Sequence, residues 1–194
     1  MGYPVTMVTT EKLMTAEEFL HVPEPADGGS WELVEGRVVT MPPVSGGYGR
    51  RASRIDHALR TFVDQHSLGE VLVEAGYVFA RDPDSVRGPD VSFVANDRIP
   101  EGGIPDEGWV PCIPTLAVEV VSPDDLDREV QRKVDLYLGD GVARIWVVRP
   151  KNSTVTVHRA GGEAHVYGAN ESLRNDDAGF AVDGFELPLR SLFG

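Results

Sequence analysis

Apolar and polar positions recur along this chain with two different periods, and the switches between them divide it into elements. Residues 1–12 show neither period and are expected to form a flexible arm, with one folded domain over residues 13–194. Thr15-Ala16-Glu17-Glu18-Phe19-Leu20 predicts a short helix, because Thr15 can cap it and Glu18, three residues on, completes a capping box. Trp31 to Val39 reads as a hairpin turning at Glu35-Gly36. Ile55, Leu59, Phe62 and Val63 then recur at helical spacing in a segment that runs to His66. After Gly69 the period becomes that of strands: Val71–Ala75, Gly76–Ala80 and, beyond a loop over residues 81–87, Pro89–Val94. Residues 96–111 are polar and rich in Pro and Gly, a mobile flap or a plain connecting loop. Leu116–Val121 predicts a strand, Pro123 to about Leu138 a helix, and Arg144–Val148 another strand. Residues 154–158, 164–167 and 180–189 read as peripheral antiparallel strands before a short tail. The order helix, three strands, helix, strand implies an α/β (α+β) fold with a mixed sheet flanked by helices.

Composition narrows the functional classes. No apolar run is long enough to span a bilayer, and the first residues lack a basic and then hydrophobic leader, so a cytoplasmic protein with no membrane partner is expected. The single cysteine, Cys112, excludes an internal disulfide framework and a cysteine-cluster zinc site, and is expected to be a small buried hydrophobe. The formal charge of −13 runs against a broad duplex-binding surface, which would need a basic footprint. Arg50, Arg51, Arg54 and Arg60 form a basic cluster at a helix start, with a solvated helix face as the simpler reading.

The chemistry concentrates on Glu119. It interrupts a nearly continuous apolar run, the pattern of a strand buried on both faces, where a carboxylate is costly unless paired or bound to a cation. Alternation sets Leu116, Val118 and Val120 on one face and Ala117, Glu119 and Val121 on the other, so the compensating charge must come from elsewhere. Asp90, after Pro89 at a strand start, poses the same question. Two such carboxylates on adjacent strands suit a divalent cation, and hard oxygen ligands select Mg²⁺ or Mn²⁺. In the helix that follows, Leu126, Val130, Val134 and Tyr137 form the predicted buried stripe, Lys133 lies at its edge, and Arg132 and Asp135 point outward. Lys133 can thus reach back over the sheet to stabilise an oxyanion or orient a water. Spacing alone is equally compatible with a buried Glu119–Lys133 ion pair and an Asp90 that caps a strand.

Several segments, taken in order, resemble a known family. They are Trp31-Glu32-Leu33-Val34-Glu35-Gly36, Arg87-Gly88-Pro89-Asp90-Val91, Leu116 to Pro123, Lys133-Val134-Asp135-Leu136-Tyr137 and Gly141 to Val148. The chain resembles the Uma-two-type "putative restriction endonuclease" family, a bacterial branch of the PD-(D/E)XK nuclease superfamily, from Met14 to Phe193. The resemblance implies a restriction-endonuclease-like core with an added N-terminal hairpin and C-terminal antiparallel strands. It also implies that Asp90 and Glu119 are the two motif acids and metal ligands. The superfamily lysine would stand two residues after Glu119, where this chain has Val121; the resemblance moves that role to Lys133. Glu32 matches a recurrent acid of the family hairpin, an extra ligand or water-positioner if it is not a plain strand residue. A histidine common in the family before the first long helix is missing from Ser45-Gly46-Gly47-Tyr48-Gly49-Arg50, while His57 and His66 read as helix-face residues.

Two functions follow from this reading. The first is a Mg²⁺-dependent endonuclease that hydrolyses phosphodiester bonds in DNA, acting as a homo-oligomer, a dimer, through Asp90, Glu119, Lys133 and Glu32. The second is a catalytically silent nuclease-fold scaffold that serves as a binding or regulatory module.

Overall fold

In the computed structural model, which describes residues 12–194 apart from 24, 27, 42, 123 and 124, Glu35 and Gly36 both hold positive φ, 48° and 74°. A two-residue hairpin turn requires that conformation. It joins β1 (Ser30–Val34) to β2 (Arg37–Met41) in the expected register. Before the hairpin lies α1 (Ala16–Phe19); after it come α2 (Gly46–His66), β3 (Gly69–Val73), β4 (Tyr77–Ala80), β5 (Ser85–Arg87) and β6 (Val91–Ala95). A 3-10 turn at Asn96–Arg98 leads through the loop to β7 (Leu116–Val120), α3 (Asp127–Gly139), β8 (Arg144–Arg149), β9 (Thr154–Arg159) and β10 (Ala164–Gly168). The chain closes with β11 (Ser172–Arg174), α4 (Asn175–Ala178), β12 (Glu186–Pro188) and α5 (Arg190–Phe193).

Six strands form the main sheet in the order β10-β9-β8-β7-β6-β3, and four form a second sheet, β2-β1-β5-β4. Every pairing in the main sheet is antiparallel except β7–β8. Parallel neighbours need a crossover, and α3 provides it. The alternation read from the sequence sorts the two faces of β7. Leu116, Val118 and Val120 join Ile55, Leu59, Phe62 and Val63 of α2 in one apolar cluster, while Ala117 joins Val130, Val134 and Tyr137 of α3 in the other. The sheet is therefore sandwiched between α2 and α3. Tyr77 and Phe79 of β4 extend the α3 side, which brings the second sheet against the end of the main one.

The capping box of α1 forms as the sequence predicts: the Thr15 hydroxyl accepts from the Glu18 N–H (3.1 Å) and the Glu18 carboxylate from the Thr15 N–H (3.0 Å). This short helix anchors part of the 96–111 segment. Trp109 stacks on Phe19 at 5.5 Å and donates its indole N–H to the Ala16 carbonyl at 3.0 Å. A Cβ at Gly76 would come within 2.5 Å of the Trp109 ring, so glycine is required there for this close approach. Of the two readings of residues 96–111, the structure favours the held connecting loop around Trp109. Thr15→Ala is expected to cost about 1 kcal/mol of stability, a drop that urea unfolding can read; an unchanged midpoint would mean that α1 docks through Phe19 alone.

Several boundaries differ from the sequence expectation. Residues 85–87, assigned to a loop, form the central strand β5, too short to show a period. Helix α3 begins at Asp127 rather than at Pro123, and Leu126 is its 52 % exposed N-cap instead of a member of the buried stripe. Ser122 and Asp125 still form a turn, the Ser122 N–H donating to the Asp125 carboxylate at 2.7 Å, while Pro123 and Asp124 lie outside the described residues. In the 180–189 stretch only Glu186–Pro188 is strand, and it is not peripheral: Phe180, Phe185, Leu187 and Leu189 enter the core on the α2 side. Cys112 is half-buried and free. The expected arm over residues 1–12 falls, Lys12 apart, outside the described residues. No described helix is long and apolar enough to cross a membrane.

Candidate active site

Register brings the two candidate acids together. Val91 pairs with Val118 across the antiparallel β6–β7 ladder. Carried one residue further, the same register sets Asp90 opposite Glu119, on the sheet face that also carries Ala117. Both residues are buried, 7 % and 8 % exposed, and both line one cavity of about 210 Å³. Asp90 accepts hydrogen bonds from the Tyr48 hydroxyl and the Val120 N–H. Tyr48 arrives from the first turn of α2, whose N-cap Ser45 accepts from the Tyr48 N–H.

Glu119 is held from the opposite side by α3. The Lys133 ammonium lies 3.0 Å from one Glu119 oxygen, and the Tyr137 hydroxyl donates to the other at 2.6 Å. Lys133 and Tyr137 are four apart on a helix and so share a face. The same ammonium lies 3.0 Å from a Glu32 oxygen. Glu32 in turn is salt-bridged to Arg87, its cross-strand neighbour once the Leu33–Val86 pair of β1 and β5 is extended by one residue. Lys133 thus bridges two carboxylates from two different sheets. With three donor hydrogens and two of them engaged, it keeps one for a further acceptor.

The charges do not balance. Among the described residues, the cations at ion-pair distance of Asp90, Glu119 and Glu32 are Lys133 and Arg87 alone, and Asp90 itself has hydroxyl and amide donors but no cation. Burial, and next the charge of Glu119, push the Asp90 carboxyl up to about 8, although the Tyr48 and Val120 donors pull it down. Burial raises Glu119 as well, against the pull of Lys133. For Lys133 burial acts downward, but the two glutamates outweigh it and hold the ammonium protonated above its ordinary range. Tyr48 is shifted upward by burial and by Asp90, and Tyr137 by burial and by Glu119; both therefore stay protonated donors.

All four residues singled out from the sequence, Glu32, Asp90, Glu119 and Lys133, line the same cavity. The Glu119–Lys133 contact is an ion pair, as the simpler reading had it. It also belongs to a larger network that includes Glu32, so Glu32 is no surface strand residue. Sequence reasoning missed three members. Tyr137 was placed in the stripe as a core residue, and its position four after Lys133 was the available signal. Arg87 lay in a segment assigned to a loop. Tyr48 stands within the stretch where no histidine was found, and nothing in its local pattern marks it as a donor to Asp90. The arginine cluster is not a simple solvated face: Arg54 donates to the Ser191 and Gly194 carbonyls, Arg60 to Asp56 and the Val71 carbonyl, and Arg51 to the Gly47 carbonyl.

The donor set suits a small hard cation. Each Asp90 and Glu119 oxygen has one protein donor and so retains a lone pair. Among the described residues no group of three or more His, Cys, Asp and Glu forms a metal cage. Mg²⁺ seldom uses one; it is held by one or two carboxylates and completes its shell with waters and phosphate oxygens.

Comparison with known proteins matches this geometry to a fold. A solved structure described as "a putative nuclease belonging to DUF820 from Anabaena variabilis ATCC 29413" superposes with a TM-score of 0.76 at 24% identity, over 93% of this chain and 97% of that chain. At that identity the likeness shows a shared fold. No curated protein matches the chain. The family model for Uma2, described as "Putative restriction endonuclease", matches residues 16–189. That span runs from the first residue of α1 to the residue before α5 and takes in every side chain of the network, and the chain therefore belongs to the Uma2 family.

Proposed function

We propose that the chain is a metal-dependent phosphodiesterase acting on DNA, with Asp90 and Glu119 as metal ligands and Lys133 and Glu32 completing the site. The observation that carries this is the placement of Asp90 opposite Glu119 on one sheet face, in one cavity, with more buried carboxylates than cations around them. A bound Mg²⁺ ion would supply Lewis acidity, lowering the pKa of an attacking water and offsetting charge on the phosphate. Asp90 and Glu119 would hold it, oriented by Tyr48, the Val120 N–H and Tyr137. The free donor of Lys133 would stabilise negative charge on a phosphate oxygen. Glu32 fixes the ammonium over the sheet, and Arg87 fixes Glu32.

Calorimetric titration with Mg²⁺ or Mn²⁺ tests the metal site. Wild type is expected to bind, and Asp90→Ala is expected to remove the binding; a wild type that binds neither ion would sink the metal reading. The raised Asp90 carboxyl adds a pH signature. The ion must displace a proton, so its affinity should climb as pH rises toward about 8 and level off above it. Stability of the metal-free protein should move the other way. A carboxyl raised in the folded state contributes stability that is complete below its unfolded pKa of about 4. That contribution is lost as pH rises through about 8, and Asp90→Asn should flatten the loss. A flat pH profile of metal affinity from 6 to 9 would separate Asp90 from the ion. The −13 charge favours the second reading, a silent scaffold. That reading prevails if metal binds and plasmid and single-stranded DNA both survive.

A further inference from the structure

Next to the carboxylate cavity lies a larger groove of about 570 Å³ that shares Tyr48, Val120, Ser122 and Asp125 with it. Three basic side chains line the groove: Arg51 from α2, Arg149 from the end of β8, and Lys151 from the turn that follows. Most basic residues of this acidic chain are neutralised by carboxylates or held on carbonyls. These three differ. Lys151 is exposed and has no hydrogen bond or ion pair among the described residues. Arg51 faces no carboxylate at ion-pair distance among them, and its Nε is buried without a partner. Arg149 pairs at 2.9 Å with Asp127, whose side chain is 90 % exposed; so open a pair is worth little and can yield to a phosphate. Asp125, the remaining acid of the groove, is engaged by the Ser122 N–H. The groove also runs past Ser45, the N-cap of a helix 21 residues long, whose first N–H groups favour an anion.

A duplex interface spreads positive charge over a wide surface. Here three basic side chains gather in one groove beside the carboxylate cavity, on a chain of net charge −13. A narrow basic track that follows a backbone is the arrangement suited to a single strand.

We infer that this groove is the track of a single-stranded polynucleotide, whose phosphates next to the one under attack lie against Arg51, Arg149 and Lys151. The inference rests on the reading of the Asp90–Glu119 site as a phosphodiesterase. It specifies which form of substrate reaches that site and from which side.

Fluorescence anisotropy on the full chain tests it, with a labelled oligothymidylate of about 12 nucleotides and Ca²⁺ in place of Mg²⁺. An oligouridylate of equal length tells DNA from RNA as the source of the phosphates, and a duplex of equal length tells one strand from two. The single strand is expected to bind more tightly than the duplex. Lys151→Glu and Arg51→Gln are each expected to weaken it about tenfold and to reduce the salt slope by about one. Lys151→Glu alters an exposed turn residue and guards against a fold defect in Arg51→Gln. Wild-type affinity in both variants, tighter binding of the duplex, or no binding of either strand would overturn the inference. Loss of binding in the variants beside a wild type that cuts nothing with Mg²⁺ or Mn²⁺ would sink the phosphodiesterase reading and leave the groove standing. A wild type that cuts, with variants that bind and cut as well as it does, would remove the groove alone.

Discussion

Glu119→Gln is expected to lower Mn²⁺- or Mg²⁺-supported cleavage by about three orders of magnitude, close to 4 kcal/mol of barrier, without lowering the melting temperature. The amide keeps the shape of the side chain. With its oxygen toward the Lys133 ammonium, its NH2 can donate to the Tyr137 hydroxyl, which accepts as well as donates, and Lys133 retains Glu32 as its ion-pair partner. The change removes a negative charge whose burial opposes its ionisation, so the fold gains or stays level. A melting scan run beside a plasmid and single-strand cleavage assay separates the two effects. Loss of activity together with a fall in melting temperature would point to a structural role. Full activity in Glu119→Gln would take Glu119 out of the reaction.

The second large effect is on stability. Arg87→Met is expected to destabilise the protein by about 3 kcal/mol, since removing one partner of a buried ion pair leaves the other short of compensation. For a chain of this size that corresponds to roughly 10 °C in melting temperature. Arg87 and Glu32 are both buried, and Lys133 alone would then offset Glu32 and Glu119 together. Arg87→Met with Glu32→Gln should recover most of the loss, because the double replacement removes both charges of the pair. If the double variant is as unstable as Arg87→Met, the arginine acts through packing between β5 and its neighbours rather than through its charge.

How much of this was legible in the sequence depended on whether a residue's partner was local. Glu119 stood out because one charge in an unbroken apolar strand must be compensated, whatever the fold. Lys133 could be placed because helical periodicity fixes which side of α3 meets the sheet. Arg87 could not. Its partner is 55 residues away, and they meet only through the β1–β5 register, which a strand of three residues does not announce. Tyr48 was hidden for a similar reason: a 42-residue separation closes only when α2 packs on the sheet. The late start of α3 shows a conflict between signals. Ser122-Pro123-Asp124-Asp125 has the composition of a helix start, yet Asp125 turns back to the Ser122 N–H and the helix proper waits until Asp127. In the last third of the chain, Phe180, Phe185 and Leu187 looked like alternating strand positions. All three fill the α2 side of the core, Phe180 and Phe185 from irregular backbone and Leu187 from a strand of three residues, neither of which carries a period to read.

The cation of the site sits on a helix rather than on the strand that bears Glu119. A strand lysine would persist as long as the central ladder did, and β7 lies between two hydrogen-bonded neighbours. Lys133 depends instead on the docking of α3, which rests on Val130, Val134 and Tyr137. Opening that one helix withdraws the ammonium and the Tyr137 hydroxyl together and leaves Glu119 with neither donor. The fraction of molecules with a complete site is then set by the local opening equilibrium of α3, not by global unfolding. Amide exchange along Val130–Tyr137 accordingly measures how often the site is assembled.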